Sequence, residues 1–288
     1  MVQVNRWQPS GQSLRQCLAL VALTLTAACS SASTDPSGKL QGKVILTGSS
    51  TVAPLASELG KRFEQDNPGV RVDVQTGGSS RGLADARSGQ ADIGMMSRDL
   101  AADETDVEAH AIARDGVALI VHGENPVAEL SSQQILDIYT GKVTQWTEVG
   151  GDNLPVSVVN KAEGRSTLDV FLGHFELENS AIKAQVIIGD NEQGIKTIIG
   201  NPGAIGYVSI GAAENSIARG EPLKLLPLEG IAPSTASVQS GSFPLSRTLN
   251  FVTQGEPEPL TQAFIDFAQS PEVHDIVEQQ NFVPIDGK

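Results

Sequence analysis

The chain has 288 residues, and 34 Asp and Glu against 20 Lys and Arg leave a formal net charge of −14. That balance, with no basic face visible in the sequence, excludes nucleic acid as a partner, because backbone-phosphate binding needs clustered cations. Two cysteines exclude a disulfide-stapled scaffold, and 29 glycines with 4% aromatic residues suit many turns between short strands and helices.

The first segment carries Arg6 and Arg15, an apolar run over residues 18–25, and then Thr26, Ala27, Ala28 and Cys29. A charged start, a short apolar core and small residues before a break predict an export signal over residues 1–28. The run is too short to span a bilayer, and no later stretch is long or apolar enough. Small residues ahead of a cysteine resemble a bacterial lipoprotein signal in which Cys29 becomes the lipidated first residue. Thr26 departs from that pattern, and an ordinary cleavage site beside a bland cysteine is the alternative. Cys17 leaves with the signal, so the exported chain has no disulfide and depends on its own core. Removing two arginines leaves 18 basic against 34 acidic residues, a charge of −16. Residues 29–42, rich in Ser, Thr, Gly and Pro, read as a flexible tether.

Residues 47–54 follow the apolar run Val44, Ile45, Leu46 and read Thr, Gly, Ser, Ser, Thr, Val, Ala, Pro. A strand stops, Gly48 turns the chain, and a helix opens with Pro54 in its first turn, where a missing N–H costs nothing. Val52, Leu55, Ala56, Leu59 and Phe63 form its apolar stripe. Two similar junctions follow. Thr76, Gly77, Gly78, Ser79, Ser80 and Arg81 lie between the alternating Val70, Val72, Val74 and a helix with Leu83 and Ala86. Gly164, Arg165, Ser166 and Thr167 lie between residues 156–159 and a helix with Leu168, Phe171 and Leu172. One hydroxyl cluster at a helix start is ordinary capping. Three of them, if they converge, surround an oxyanion with O–H and N–H donors at positive helix ends.

Residues 91–99 predict a buried strand ending in a polar tip. Met95 and Met96 are core fillers. Ser97 and Arg98 have two readings: Ser97 caps an acidic helix over residues 99–108, or both belong to the ligand end of an α/β sheet. Residues 117–121 predict an apolar strand, and the break at 123–126 marks a crossing into a second lobe. Ser131 with Gln134 forms a capping box for the helix carrying Ile135 and Ile138. Helix 195–199 and strand 204–210 follow. Beyond the Pro- and Ser-rich residues 231–244, strand 247–253 and two amphipathic helices return to the first lobe. The alternation predicts an α/β fold, mainly parallel, with two lobes and a cleft lined by the junctions.

The three junctions, with residues 203–208, 243–253 and 264–284, resemble the periplasmic phosphate-binding proteins, the solute-binding components of phosphate ABC importers. The resemblance implies a two-lobed periplasmic-binding-protein fold of type II with two hinge crossings. Lobe 1 comprises residues 43–118 with 246–288, and lobe 2 residues 119–245. Carried over by position, phosphate contacts fall on Ser50, Thr51, Ser79 and Thr167. The third junction departs from the family motif: Lys161 stands for its arginine, Arg165 for a serine and Ser166 for a glycine. The family's aspartate falls on Ser97, beside Arg98. Arg165 could supply a fork from a new direction; Arg81 is either a second one or a surface residue.

The expected function is capture of inorganic phosphate between two lobes for an ABC permease of the inner membrane, with sulfate or another tetrahedral oxyanion as the alternative. Catalysis, a metal and a cofactor are not implied. The expected ligand set is Ser50, Thr51, Ser79, Arg81, Ser97, Arg98, Arg165, Ser166 and Thr167. The chain is expected to be an exported monomer, periplasmic or at the cell surface, held to a membrane by lipid on Cys29. An exported enzyme or a scaffold on the same fold are the other classes. His110, His122, His174 and His274 lie in no metal or nucleophile motif, and no Gly-x-Ser-x-Gly elbow precedes a helix.

Overall fold

In the computed structural model of the chain, which describes residues 38–285 and positions 3 and 34, strands and helices alternate as the periodicity predicts. The expected export signal, Cys29 and most of the expected tether lie outside the described residues. The chain begins with β1 (Gln41–Gly48), α1 (Ala53–Asp66), β2 (Gly69–Thr76), α2 (Ser79–Arg87) and β3 (Ile93–Met96). It continues through β4 (Glu108–His122), α3 (Ser132–Tyr139), β5 (Ser157–Lys161), α4 (Ser166–Phe175), β6 (Val186–Ile188), α5 (Asn191–Ile199), β7 (Ala204–Ser209) and α6 (Ile210–Ala218). Then come β8 (Leu223–Leu226), α7 (Thr235–Gln239), β9 (Ser246–Thr253), α8 (Pro259–Ala268) and α9 (His274–Gln279). No helix among the described residues is long and apolar enough to cross a membrane.

The strands order as β2-β1-β3-β9-β4-β7-β5-β6, with β8 also paired to β4. Around β1 the pairing is parallel to both β2 and β3, and around β5 it is parallel to both β6 and β7. Parallel strands end at one edge, so the strand-to-helix junctions of each set open on the same side. β4 and β9, which pair antiparallel with their neighbours, join the two sets.

β4 is the hinge strand. Residues 108–116 pair with β9, and from Val117 onward it pairs with β7 and β8. Its Ile112 and Ala113 belong to a hydrophobic cluster with Leu46, Leu59, Phe251 and Phe264, while Val117 and Leu119 belong to another with Tyr139, Phe171 and Tyr207. These two cores are the centres of the two lobes. The passage between them lies within an unbroken strand, ahead of the sequence break at 123–126. In the first core the α1 stripe is buried, and Phe63 meets Phe264 of α8 edge-on at 5.2 Å. Each such side chain stabilises the fold by about 1.5–3 kcal/mol. Leu260, Phe264, Ile276 and Val277 bring α8 and α9 back to that core, as their spacing predicts.

One element differs from expectation. Residues 99–107 form turns rather than an acidic helix, and Glu108 opens β4. The reason is pairing: residues 108–111 align with 250–253 of β9, and the ladder outweighs the local helical preference of a few acidic residues.

Candidate functional site

Backbone hydrogen bonds stitch the three junctions together. The amides of Gly77 and Gly78 donate to Gly48 O, both at 2.9 Å, and Ser49 N donates to Met95 O at the end of β3. Between lobes, Ser80 N donates to Gly164 O at 3.2 Å. Gly78 permits this approach: its φ is +96°, and a Cβ there would lie 2.8 Å from Gly164 O. The starts of α1, α2 and α4 therefore surround one small cavity, lined by Ser49, Ser50, Thr51, Gly78, Ser79, Ser97, Lys161, Arg165, Ser166, Thr167 and Gly189.

Capping does not explain the hydroxyls at the second and third junctions. The N-caps of α3, α5, α6 and α7 accept a first-turn N–H with their own side chains. At α2 and α4 no side chain does so. Ser79 and Ser166, each the first helical residue, have buried Oγ atoms without a hydrogen-bond partner. A buried hydroxyl without a partner costs roughly 1–3 kcal/mol, which a ligand oxygen would recover.

An arginine bonded to the hydroxyls of the wall is one that sequence reasoning missed. Arg247, the second residue of β9, is 5% exposed and emerges where the lobes join. Its Nη2 and Nε donate to Asp115 Oδ2 of β4 at 2.8 and 3.1 Å. The same guanidinium reaches Thr167 Oγ1 at 2.9 Å, Thr51 Oγ1 at 3.3 Å and Ser97 Oγ at 3.4 Å. Its only sequence signal was a charged residue that faces Asp115 across the β4–β9 ladder, and that pairing is non-local. Asn191, at the start of α5, was also missed; its Nδ2 donates to Thr51 Oγ1 at 3.1 Å, again between lobes.

Lys161 is 3% exposed, and its Nζ donates to Asp190 O at 2.9 Å and Asn191 Oδ1 at 3.1 Å. Burial, with the neighbouring Arg247 charge, lowers its pKa to about 7. Arg165 borders the cavity at half-burial, and its side chain has no hydrogen bond among the described residues, beside Gly78 and Gly189.

Of the expected ligand set, Ser50, Thr51, Ser79, Ser97, Arg165, Ser166 and Thr167 line this cavity together. Two arginines do not. Arg81 is exposed and pairs with Asp85 one turn on, at 3.1 Å. Arg98 donates to both oxygens of Glu104 at 2.8 Å and lies 3.3 Å from Asp169 of α4. Its hydrogen bonds, with its charge, hold the Glu104 carboxyl below the usual range. Both side chains are committed to carboxylates outside the cavity.

Residues 33–272 match the PBP superfamily domain. The phosphate-binding protein PstS of Bacillus subtilis is 29% identical over 255 residues, covering 86% of this chain and 82% of its own. A crystal structure from Clostridium perfringens, described as a phosphate ABC transporter substrate-binding protein with bound phosphate, is 31% identical. It covers 85% of this chain and all of its own, with a TM-score of 0.79. An ABC-type phosphate transport receptor from Vibrio cholerae is 26% identical with a TM-score of 0.69, covering 84% and 100%. The alternation of strands and helices, the two cores joined through β4 and β9, and these matches along most of the chain have one conclusion: the chain belongs to the PBP superfamily, in the family of phosphate ABC transporter substrate-binding proteins.

Proposed function

We propose that this chain captures inorganic phosphate between its two lobes and delivers it to an ABC importer. The observation that carries the reading is the cavity itself: donors from both lobes converge on it, and two of its buried hydroxyls, on Ser79 and Ser166, lack a partner. Ser50, Thr51, Ser79 and Ser97 hold the anion from lobe 1, and Arg165, Ser166 and Thr167 from lobe 2. First turns of α2 and α4, which no side chain caps, add the positive ends of two helices. Arg247 and Lys161 supply charge from the hinge and the far wall. Closure brings these groups together, and the closed surface is what the permease recognises.

No covalent chemistry is needed for this function, and the relatives named above are binding proteins of transporters. The rest of the reading comes from the sequence. Residues 1–28 direct export, lipid on Cys29 holds the chain at a bacterial membrane, and a monomer suffices because one chain completes the site.

The test is calorimetric titration of ligand-stripped protein with inorganic phosphate. Saturable binding of one phosphate per chain, weakened in Thr51→Ala and in Arg247→Lys, is expected. Absence of phosphate binding would overturn the reading, and turnover of a chromogenic phosphoester would favour an enzyme.

A further inference from the structure

Two hydroxyls of the cavity wall are bonded across the lobes by side chains. Thr167 Oγ1 accepts from Arg247 of β9, and Thr51 Oγ1 accepts at 3.1 Å from Nδ2 of Asn191, the first residue of α5. Asn191 lies outside the wall of that cavity and lines a second, larger cleft between the lobes, of ≈ 500 Å³. Ser50 and Thr51 belong to both walls. The outer cleft reaches solvent at Glu192 and Arg219, which are more than half exposed and pair at 3.8 Å. The bond from Asn191 to Thr51 therefore stands where the cavity meets the cleft.

An amide can present either end, and its neighbours decide which. Asn191 Oδ1 accepts from Lys161 Nζ at 3.1 Å and from Ser209 N at 3.5 Å, at the ends of β5 and β7. Its oxygen is held within lobe 2, so its N–H faces Thr51 of lobe 1. Lys161 Nζ also donates to Asp190 O at 2.9 Å, which fixes the backbone where α5 begins. Capping does not need Asn191, because the Asp190 side chain accepts from Gln193 N. Asn191 is 7% and Thr51 4% exposed, so water competes little for the bond. Thr51 Oγ1 takes a second bond from Arg247 Nη2, and with both lone pairs filled its O–H is left for the cavity. Further bonds between the lobes, from Asn215 to Gln280 O and from Asn281 to Asn215, lie beside the stretch in which Val283 pairs with Arg114 of the hinge strand. Opening about the hinge strains those least.

Resting on the phosphate-capture reading, we propose that Asn191 is the latch of the closed form: its bond to Thr51 seals the cavity from the outer cleft and sets how fast bound phosphate leaves. Asn191 is a positioning residue, and Lys161 orients its amide. The bond joins opposite lobes, so it exists only once they have closed. Phosphate meets the open form without it and leaves only after it breaks. Its removal therefore raises the dissociation rate and leaves the association rate alone.

The experiment uses the full chain stripped of ligand. Calorimetric titration with inorganic phosphate gives the dissociation constant, and a chase of bound radiolabelled phosphate with unlabelled phosphate gives the dissociation rate; their ratio is the association rate. In Asn191→Ala the dissociation rate should rise by about tenfold, the worth of one buried hydrogen bond. The association rate should stay within about twofold of the parent, whereas a merely structural defect would lower it as well. An unchanged dissociation rate, or an affinity loss carried by association, would overturn the latch and leave phosphate capture standing. Absence of binding by the parent would overturn both. If Asn191→Ala does not fold, Asn191→Ser keeps a polar group beside Lys161 but is one bond too short for Thr51, and the same split between the two rates decides.

Discussion

Arg247 combines two roles that single substitutions can separate. It neutralises Asp115 in a place where Asp115 is 2% exposed, and it reaches hydroxyls of both lobes. Arg247→Lys keeps one positive charge but loses the planar fork, so phosphate affinity should fall by about 10- to 100-fold in calorimetry while the fold survives. Arg247→Ala leaves a buried carboxylate unpaired and should lower unfolding stability by about 3–5 kcal/mol in urea melts. Lys161 has a different signature. Its folded pKa of about 7 lies below the ordinary 10.5, so the unliganded fold binds fewer protons than the unfolded chain between those values. Its contribution to unliganded stability therefore rises with pH across that window. A bound anion favours the ammonium, so affinity for an oxyanion that does not itself titrate should decrease as pH rises above about 7. Asp190 opposes and Arg165 reinforces the lowered value. Titrations over pH 6–9 should show that slope in the parent and a flatter profile in Lys161→Met.

At the scale of elements, the site depends on helix starts that no side chain caps and on a close approach of α2 to the loop before α4. Gly78 is the point of contact, with φ of +96° and no space for a Cβ against Gly164 O. Gly78→Ala should cost about 1 kcal/mol of stability through backbone strain but weaken phosphate binding far more, because it holds the lobes apart. Small-angle scattering with saturating phosphate would show the variant failing to contract where the parent does. The lone hydroxyls are the complementary case. Ser79→Ala and Ser166→Ala each remove a polar atom that the unliganded fold leaves without a partner, so each should hold or raise thermal stability while lowering affinity.

For the whole molecule, a net charge of −14 and an anion site coexist because the donors are local, buried and already paired into position. Contacts away from the cavity also cross between the lobes: Asn281 Nδ2 donates to Asn215 Oδ1 at 2.9 Å, and Thr235 Oγ1 to Asn281 O at 3.2 Å. Besides the site itself, Arg98 bridges Glu104 of one lobe and Asp169 of the other. Asp169→Asn should raise the phosphate dissociation constant by only a few-fold, since a partly exposed ion pair contributes about 0–1 kcal/mol. Trp146 is a poor reporter of this motion. It is 1% exposed in the second core, with its indole N–H donating to Gly203 O at 2.8 Å, so its emission should change little when phosphate is added. A tryptophan introduced at exposed Ser80, beside Gly164, should respond.

Local pattern was sufficient for much of this. Apolar periodicity placed α1, α2, α4 and their preceding strands, because which face of a short element is buried is written in residue spacing. The hydroxyl-rich junctions were legible for the same reason, since a strand end, a glycine turn and a helix start are consecutive in the chain. What the tertiary structure decided is which distant residues meet. Arg247 reaches Thr51, Ser97 and Thr167 across separations of 80 to 196 positions, and Asn191 reaches Thr51 across 140. Arg81 and Arg98 lay closer to the junctions in sequence, yet nearby carboxylates hold them. The hydroxyl directions depend on those same long-range donors. Residue order alone determined that three donor-rich junctions exist in a chain of alternating strands and helices; only folding decided which cation stands among them, because a guanidinium goes where a buried carboxylate compensates its charge.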